Sequence, residues 1–159
     1  MAIALDWTAE VPEDEPFLVR LYTSVREDEV RSFGWDEAQM QAFLEMQFRM
    51  QRQSYRLQYP AAEYRIIRMG GEPVGRLIIA SLPDAVVLVD ISLLPAYRKM
   101  GIGTRLLSAL KQEAAGGGKP VRLQVMHTNP AKRLYERLGF HTTGRNELYA
   151  AMEWQPVIR

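Results

Sequence analysis

Residues Pro95–Leu107 read "PAYRKMGIGTRLL", with two glycines, Gly101 and Gly103, one residue apart. An apolar run ends just before this stretch, and the apolar periodicity of a helix begins within it. A strand, a glycine-containing loop and a helix in this order place free backbone N–H groups and the positive end of a helix dipole around an anion. The stretch therefore predicts a site for a phosphorylated ligand.

Two common phosphate-binding patterns do not fit the stretch. No lysine follows the glycine pair before Thr104, as the nucleoside-triphosphate loop requires, and Leu106 stands where the dinucleotide pattern has its third glycine. The remaining pattern joins Arg98, Gly101 and Gly103, and it is weak on its own because short glycine motifs recur by chance. A glycine turn before a core-packed helix is the alternative without a ligand.

Composition limits the classes of function. The chain has 159 residues, of which 47% are hydrophobic and 25% charged, so we expect one folded domain. A net charge of +1 predicts no general attraction to nucleic acid or membranes, and any anion site must be local. Without cysteine and with two histidines, we expect no metal. The first residues lack the features of a signal peptide and no apolar run is long, which predicts a cytoplasmic protein.

Hydrophobic periodicity divides the chain into helices and strands. Predicted helices cover residues 11–26, 35–59 (capped by Asp36), 101–115 and 130–138. Predicted strands cover residues 3–7, 63–69, 72–80, 85–94 and 119–126, with two more within 139–154. This order predicts an α/β (mixed α+β) fold whose central sheet has six to seven strands, mostly antiparallel, flanked by about four helices. The closing segment "ELYAAMEW" could support a homodimer or only complete the sheet.

A second segment makes the interpretation of the glycine loop more specific. "NPAKRLYERLGF", Asn129–Phe140, lies one predicted strand further on. Together with "ISLLP" and "YRKMGIGTRLL", it resembles the GNAT superfamily of N-acetyltransferases, from Glu63 to the C-terminus and more loosely over the two preceding helices. The resemblance implies a single GNAT-like domain over residues 1–159, with variable acceptor-side helices in 1–60 and an acetyl-CoA-binding core in 63–154.

The resemblance also implies a set of acetyl-CoA-binding residues. Backbone N–H groups of the glycine loop would wrap the CoA pyrophosphate, because glycine lets the backbone approach the phosphates without a Cβ in the way. A backbone N–H at a bulged strand, matching Leu93, would bind the oxyanion of the thioester. Asn129 would cap its helix and contact the pantetheine arm. The implied residues are Leu93, Leu94, Arg98, Lys99, Met100, Gly101, Ile102, Gly103, Thr104, Asn129 and Tyr135.

Tyr135 is the predicted catalytic residue. It matches the family tyrosine near the CoA sulphur, and a phenol with an ordinary pKa of about 10 is protonated at neutral pH and can donate to the departing thiolate. The alternative is that Tyr135 only packs in its helix. The general base is left open between Asp90, which shares a polar strand face with Ser92, His127, and a chain of waters.

The acceptor side is less informative. Phe33, Trp35 and the methionines 40, 46 and 50 lie in the segment that forms one wall of the acceptor site in the family. Ordinary core packing is the favoured interpretation for the methionines. For Arg49, Arg52 and Arg56 the favoured interpretation is a solvated helix face.

The sequence therefore predicts an N-acetyltransferase. Acetyl-CoA would donate its acetyl group to a primary amine of a small molecule or protein by direct attack in a ternary complex, without metal, nucleic acid or membrane. The alternatives are a longer acyl donor and a non-catalytic CoA or acyl-CoA sensor or partner-binding module.

Overall fold

Seven β-strands and four α-helices form within residues 4–157, the part of the chain that this computed structural model describes. The strands are β1 (Leu5–Ala9), β2 (Glu63–Met69), β3 (Glu72–Ser81), β4 (Val86–Leu93), β5 (Val121–Met126), β6 (His141–Arg145) and β7 (Tyr149–Trp154). The helices are α1 (Glu15–Arg31), α2 (Glu37–Gln58), α3 (Ile102–Gly116) and α4 (Ala131–Arg137). Ile3, the first residue of the first predicted strand, lies outside the described residues.

The strands form one mixed sheet in the order β1-β2-β3-β4-β5-β7-β6. The pairs β1/β2, β5/β7 and β6/β7 are antiparallel, and β4/β5 is parallel across the crossover helix α3. The predicted α/β class, with a mostly antiparallel sheet, is confirmed. Strand β7 pairs with a neighbour on both sides, so "ELYAAMEW" completes the sheet and leaves no free edge on that strand.

The chain divides into two units, each of which is made of two separate stretches of sequence. The first unit contains the residues up to Ile78 together with Asp90–Arg98, and the second contains Ile79–Val89 and the residues from Lys99 onward. Strands β3 and β4 each pass from one unit to the other. The prediction of a single domain with a boundary near residue 60 stays a prediction.

The first unit has its hydrophobic core between α1 and α2. Buried side chains of α1 pack with Met40, Leu44 and Phe48 of α2. Asp36 caps α2 as predicted, because its Oδ1 accepts the Gln39 N–H at 2.8 Å and the Gln39 side chain accepts the Asp36 N–H at 3.1 Å.

Helix α1 differs from the predicted helix at both ends. It begins at Glu15, after a short 3-10 turn over Pro12–Asp14, and it continues five residues beyond the predicted end at residue 26. The extension is stabilised by Val30, which is buried in the core, and by Arg31, which pairs with Glu27 one turn earlier. The acidic residues Glu27–Glu29 interrupt the apolar periodicity, so the sequence pattern did not predict this continuation.

The second unit is built on β5. Its side chains alternate between buried and exposed, and Val121, Leu123 and Val125 face the core. Helix α3 buries an apolar stripe that includes Leu107 and Leu110. Lys111 of α3 donates a hydrogen bond from Nζ to the Leu138 carbonyl at 2.7 Å, which ties α3 to the end of α4.

Candidate active site

The glycine loop has two residues in the left-handed backbone region. Lys99 has φ +61°, and Gly101, the N-cap of α3, has φ +78°. Among the described residues other than glycine, Lys99 alone has a positive φ. No side chain caps α3, and the first-turn N–H groups of a helix have no partner within it. The exposed loop and the start of α3 therefore present backbone donors of the kind that hold anions.

The two glycines of the loop have different structural causes. A Cβ at Gly101 would have no atom within 4 Å, so the left-handed backbone, rather than crowding, favours glycine there. A Cβ at Gly103 would lie 3.3 Å from Cδ2 of Leu134. Gly103 is therefore a packing glycine between α3 and α4, which refines the interpretation that both glycines make room for phosphates.

The second predicted segment lies next to the start of α3. The N-cap of α4 is Pro130 rather than the predicted Asn129, but Asn129 precedes it and accepts the N–H of Ala131, the first residue of α4, through Oδ1 at 2.9 Å. Tyr135 is 5% exposed, and its ring packs edge-to-face on Phe140 with centroids 5.8 Å apart. Because Leu134 contacts Gly103, the turn of α4 that carries Tyr135 packs beside the glycine loop.

Charge is unequally divided between the two units. The unit that contains the glycine loop has ten Lys and Arg residues against five Asp and Glu, a net charge of +5. The other unit has ten against fourteen, a net charge of −4. The overall charge of +1 conceals this separation. An excess of basic residues in this unit favours an anionic ligand.

Leu93, Leu94 and Arg98 belong to the first unit, at the end of β4 and just beyond it. The Leu94 N–H donates to the Val74 carbonyl of β3 at 2.9 Å, and Arg98 donates from Nε to the Leu93 carbonyl at 3.2 Å. Strand β4 pairs with β5 through Val86–Leu88, which lie near the start of β4.

Asp90, one of the candidate bases, is held by a buried arginine. Its Oδ2 accepts from Nη2 of Arg76 at 2.9 Å, from Nε of Arg76 at 3.2 Å and from the Ser92 hydroxyl at 3.0 Å. The Arg76 side chain is 7% exposed and also donates to Gln51 of α2. Protonating Asp90 would leave this guanidinium without its anion, so the pair is better suited to fixing β3, β4 and α2 than to accepting a proton.

His127, the other candidate base, is tied to the turn between β6 and β7. Its Nε2 lies 2.8 Å from the Asn146 carbonyl, which can only accept, so Nε2 carries a hydrogen. The His127 backbone N–H also donates to the Leu148 carbonyl. These bonds leave Nδ1 as the ring nitrogen that could take up a proton.

Burial changes the proton affinity of two further groups in the first unit. Burial, and then the nearby Asp90 carboxylate, raise the pKa of the Tyr55 phenol, which keeps it protonated as a donor. Burial raises the pKa of Glu10 above its ordinary value, against the attraction of Arg52.

Two predictions for α2 are wrong in part. Met40 is a core residue, but Met46 and Met50 are 50% and 62% exposed. Arg52 does not lie on a solvated face, because its half-buried guanidinium lies 3.9 Å from Glu10 and 3.5 Å from Glu15. In the C-terminal half of α2, Gln51 and Arg52 turn inward while Met50 beside them stays outside.

The aromatic residues before α2 form an exposed cluster. Phe33 and Trp35 are 51% and 41% exposed. Both rings pack edge-to-face on Phe43, with centroids 6.4 and 4.9 Å away, and on each other at 5.2 Å. The predicted role of this segment as an acceptor wall stays a prediction.

Two classes of site are not found in the described part of the chain. Residues 4–157 contain no group of three or more His, Cys, Asp or Glu side chains arranged to hold a metal ion. None of the helices in that range is long and apolar enough to cross a membrane.

Comparison with known proteins identifies the family. The sequence model of the acetyltransferase (GNAT) family matches residues 18–140, which is most of the chain. This chain therefore belongs to the GNAT acetyltransferase family. The sequence matches none of the curated proteins.

Solved structures share the fold over nearly the whole chain. The PaiA N-acetyltransferase from Thermoplasma acidophilum, in complex with coenzyme A, has a TM-score of 0.70 and 17% identity, covering 96% of this chain and 99% of that one. An acetyltransferase from Thermus thermophilus has a TM-score of 0.66 and 21% identity, covering 98% and 99%. At these identities the likeness establishes the fold.

Proposed function

We propose that this chain transfers an acetyl group from acetyl-CoA to a primary amine of a small molecule or protein, by direct attack in a ternary complex. The observation that carries the proposal is the left-handed Gly101 at the start of α3, with nothing within 4 Å of the place of its missing Cβ. Open backbone at a helix N-terminus is the geometry that accepts a pyrophosphate. Membership of the GNAT acetyltransferase family supports the same ligand.

The proposed CoA contacts follow from backbone chemistry. N–H groups over Lys99–Thr104 would bind the pyrophosphate, which leaves the exposed side chain of Met100 free to vary, whereas the Ile102 side chain is buried in the core. The net charge of +5 on this unit supports an anionic ligand. The net charge of −4 on the other unit favours a cationic amine as the acceptor.

The proposed reaction has one bond made and one broken. The amine nitrogen attacks the thioester carbonyl carbon, the C–N bond forms, and the C–S bond breaks with its electron pair left on sulphur. The Tyr135 hydroxyl gives its proton to that thiolate, while the Leu93 N–H stabilises the charge on the carbonyl oxygen. The proton released by the amine restores Tyr135 through solvent.

We assign the first proton acceptor to water. Asp90 is engaged by Arg76 and Ser92, whereas Asn146 engages only Nε2 of His127, so His127 through Nδ1 is the side-chain alternative to water. A water-mediated route suits an acceptor whose amine is deprotonated in a fraction of molecules at neutral pH.

A thiol-release assay tests the proposal. The purified chain is mixed with acetyl-CoA and a panel of mono-amines, polyamines and peptides with a free N-terminus or lysine, and mass spectrometry identifies the acetylated product. The proposal predicts thiol release that depends on the amine and matches product formation. CoA binding without release on any amine would contradict catalysis and support the sensor.

A further inference from the structure

Gly75, in the middle of β3, makes a close approach that no other described strand glycine makes. A Cβ there would lie 2.4 Å from the Ser92 carbonyl oxygen and 2.7 Å from Cδ2 of Leu93. Gly75 is buried and does not have a left-handed backbone, so conformational freedom does not explain it. The residue must be glycine because the Ser92–Leu93 peptide of β4 occupies the place of a side chain.

The peptide that Gly75 admits is the one that carries the Leu93 N–H. In a planar trans peptide the carbonyl and the N–H point in opposite directions, so the Ser92 oxygen and the Leu93 N–H move together. A displacement of the Ser92 oxygen by a Cβ at residue 75 would therefore turn the Leu93 N–H. The Leu93 side chain is flexible and can give way, but the backbone oxygen cannot move alone.

From the regular alternation of N–H groups along a strand, we infer that the Leu93 N–H points away from β3. The next N–H, that of Leu94, donates to the Val74 carbonyl on β3, and successive N–H groups of a strand point to opposite sides. The Leu93 carbonyl points to the same side as its own N–H and accepts from Arg98. The Ser92 carbonyl of this peptide thus lies against Gly75 on one side of β4. The Leu93 N–H of the same peptide points to the other side.

We propose that Gly75 is a positioning residue for acyl transfer, which sets the direction of the Leu93 N–H donor by leaving room for the Ser92 carbonyl. This inference rests on the proposed function, in which that donor binds the charged carbonyl oxygen. Gly75 acts through the peptide and touches no substrate. A misplacement of about 1 Å in such a group lowers the rate by up to about a hundredfold.

Gly75→Ala tests the inference, with Gly144→Ala as its control. Gly144 is also a strand glycine, on β6, and a Cβ there would have no atom within 4 Å. For each variant we would measure the kcat of acetyl transfer, the Kd of CoA, which lacks the acetyl carbonyl, and the amide resonance of residue 93 in a ¹H–¹⁵N spectrum.

The expected result for Gly75→Ala is a kcat lower by about ten- to a hundredfold, a CoA Kd within about twofold of wild type, and a shifted residue-93 amide. Gly144→Ala should match wild type in all three. An unshifted amide, an unchanged kcat, or equal losses in kcat and CoA affinity would overturn the inference.

Two further arms keep the test decisive. If Gly75→Ala does not fold, Gly75→Ala/Leu93→Ala removes the 2.7 Å side-chain contact and is judged against Leu93→Ala by the same criteria. A wild-type chain that binds CoA but has no turnover would refute the proposed function, whereas the residue-93 amide still decides whether Gly75 fixes the peptide.

Discussion

Gly103 at the start of α3 and Leu134 in α4 pack so closely that a Cβ on Gly103 would lie 3.3 Å from the Leu134 Cδ2. The contact joins the two segments whose sequences resemble the GNAT family. It places the helix end that presents free N–H groups beside the helix that carries Tyr135. Packing between α3 and α4 therefore constrains the position of Gly103.

Gly103→Ala should destabilise the chain by about 1 kcal/mol, because Leu134 has to give way in a packed interface. In a Leu134→Ala background, Gly103→Ala should no longer reduce the free energy of unfolding, because the crowding side chain is absent. Gly116→Ala is the control, since Gly116 also lies in α3 and a Cβ there meets no atom within 4 Å. Urea unfolding measures the free energies of the wild type, the two glycine variants, Leu134→Ala and the Gly103→Ala/Leu134→Ala double variant. An equal response at residues 103 and 116 would refute the packing role.

Tyr135→Phe should lower kcat by about a hundredfold while the Kd of CoA stays unchanged. The phenylalanine ring can keep the edge-to-face contact with Phe140, which needs no hydroxyl. Steady-state kinetics and calorimetric titration with CoA separate the two effects. An unchanged kcat would remove Tyr135 from the mechanism and leave it as a packing residue.

Asp90→Asn should reduce the free energy of unfolding by about 3 kcal/mol, because it leaves the buried Arg76 guanidinium without its anion. Asp84→Asn breaks an exposed pair with Arg122 and should change stability by less than about 1 kcal/mol. Urea unfolding of both variants makes the comparison. If Asp90→Asn kept full stability and lost activity, Asp90 would be the base after all.

Glu10→Gln should become more stabilising, relative to wild type, as the pH rises. Burial raises the pKa of Glu10 above 4.5, so the folded chain holds this proton more tightly than the unfolded chain. The stability that the protonated carboxyl contributes is complete below the unfolded pKa and is lost as pH rises through the folded pKa. Glutamine keeps the neutral form at every pH. Urea unfolding at several values from about pH 4 to 7 tests this, and a constant or shrinking difference would contradict it.

Much of the fold could be predicted because local patterns agreed with burial. β2 has the predicted bounds, Glu63–Met69, and Asp36 caps α2, because strand alternation and cap chemistry are local properties. The C-terminal half of α2 could not be predicted in the same way. Met50 faces outward while Arg52 and Gln51 have partners on other segments, and such long-range pairs leave no periodic signal.

The site was predictable only in part for the same reason. The motif marked Gly101 and Gly103, but the contact with Leu134 depends on the packing of two helices. The separation of charge between the two units depends on how the chain folds back on itself. Gly75 did leave a signal, since an isolated glycine inside a strand pattern indicates a close backbone approach, yet the sequence does not say what approaches it.

Calorimetric titration with acetyl-CoA, comparing wild type with Gly101→Val and Gly118→Val, tests the phosphate-loop assignment most directly. Gly118 has φ +68° and, like Gly101, no atom within 4 Å of a Cβ. Both substitutions should cost roughly 1–2 kcal/mol of stability from the left-handed backbone. We predict acetyl-CoA affinity that falls at least about tenfold for Gly101→Val and matches wild type for Gly118→Val. Wild-type affinity in Gly101→Val, or no acetyl-CoA binding by wild type, would contradict the assignment of the loop.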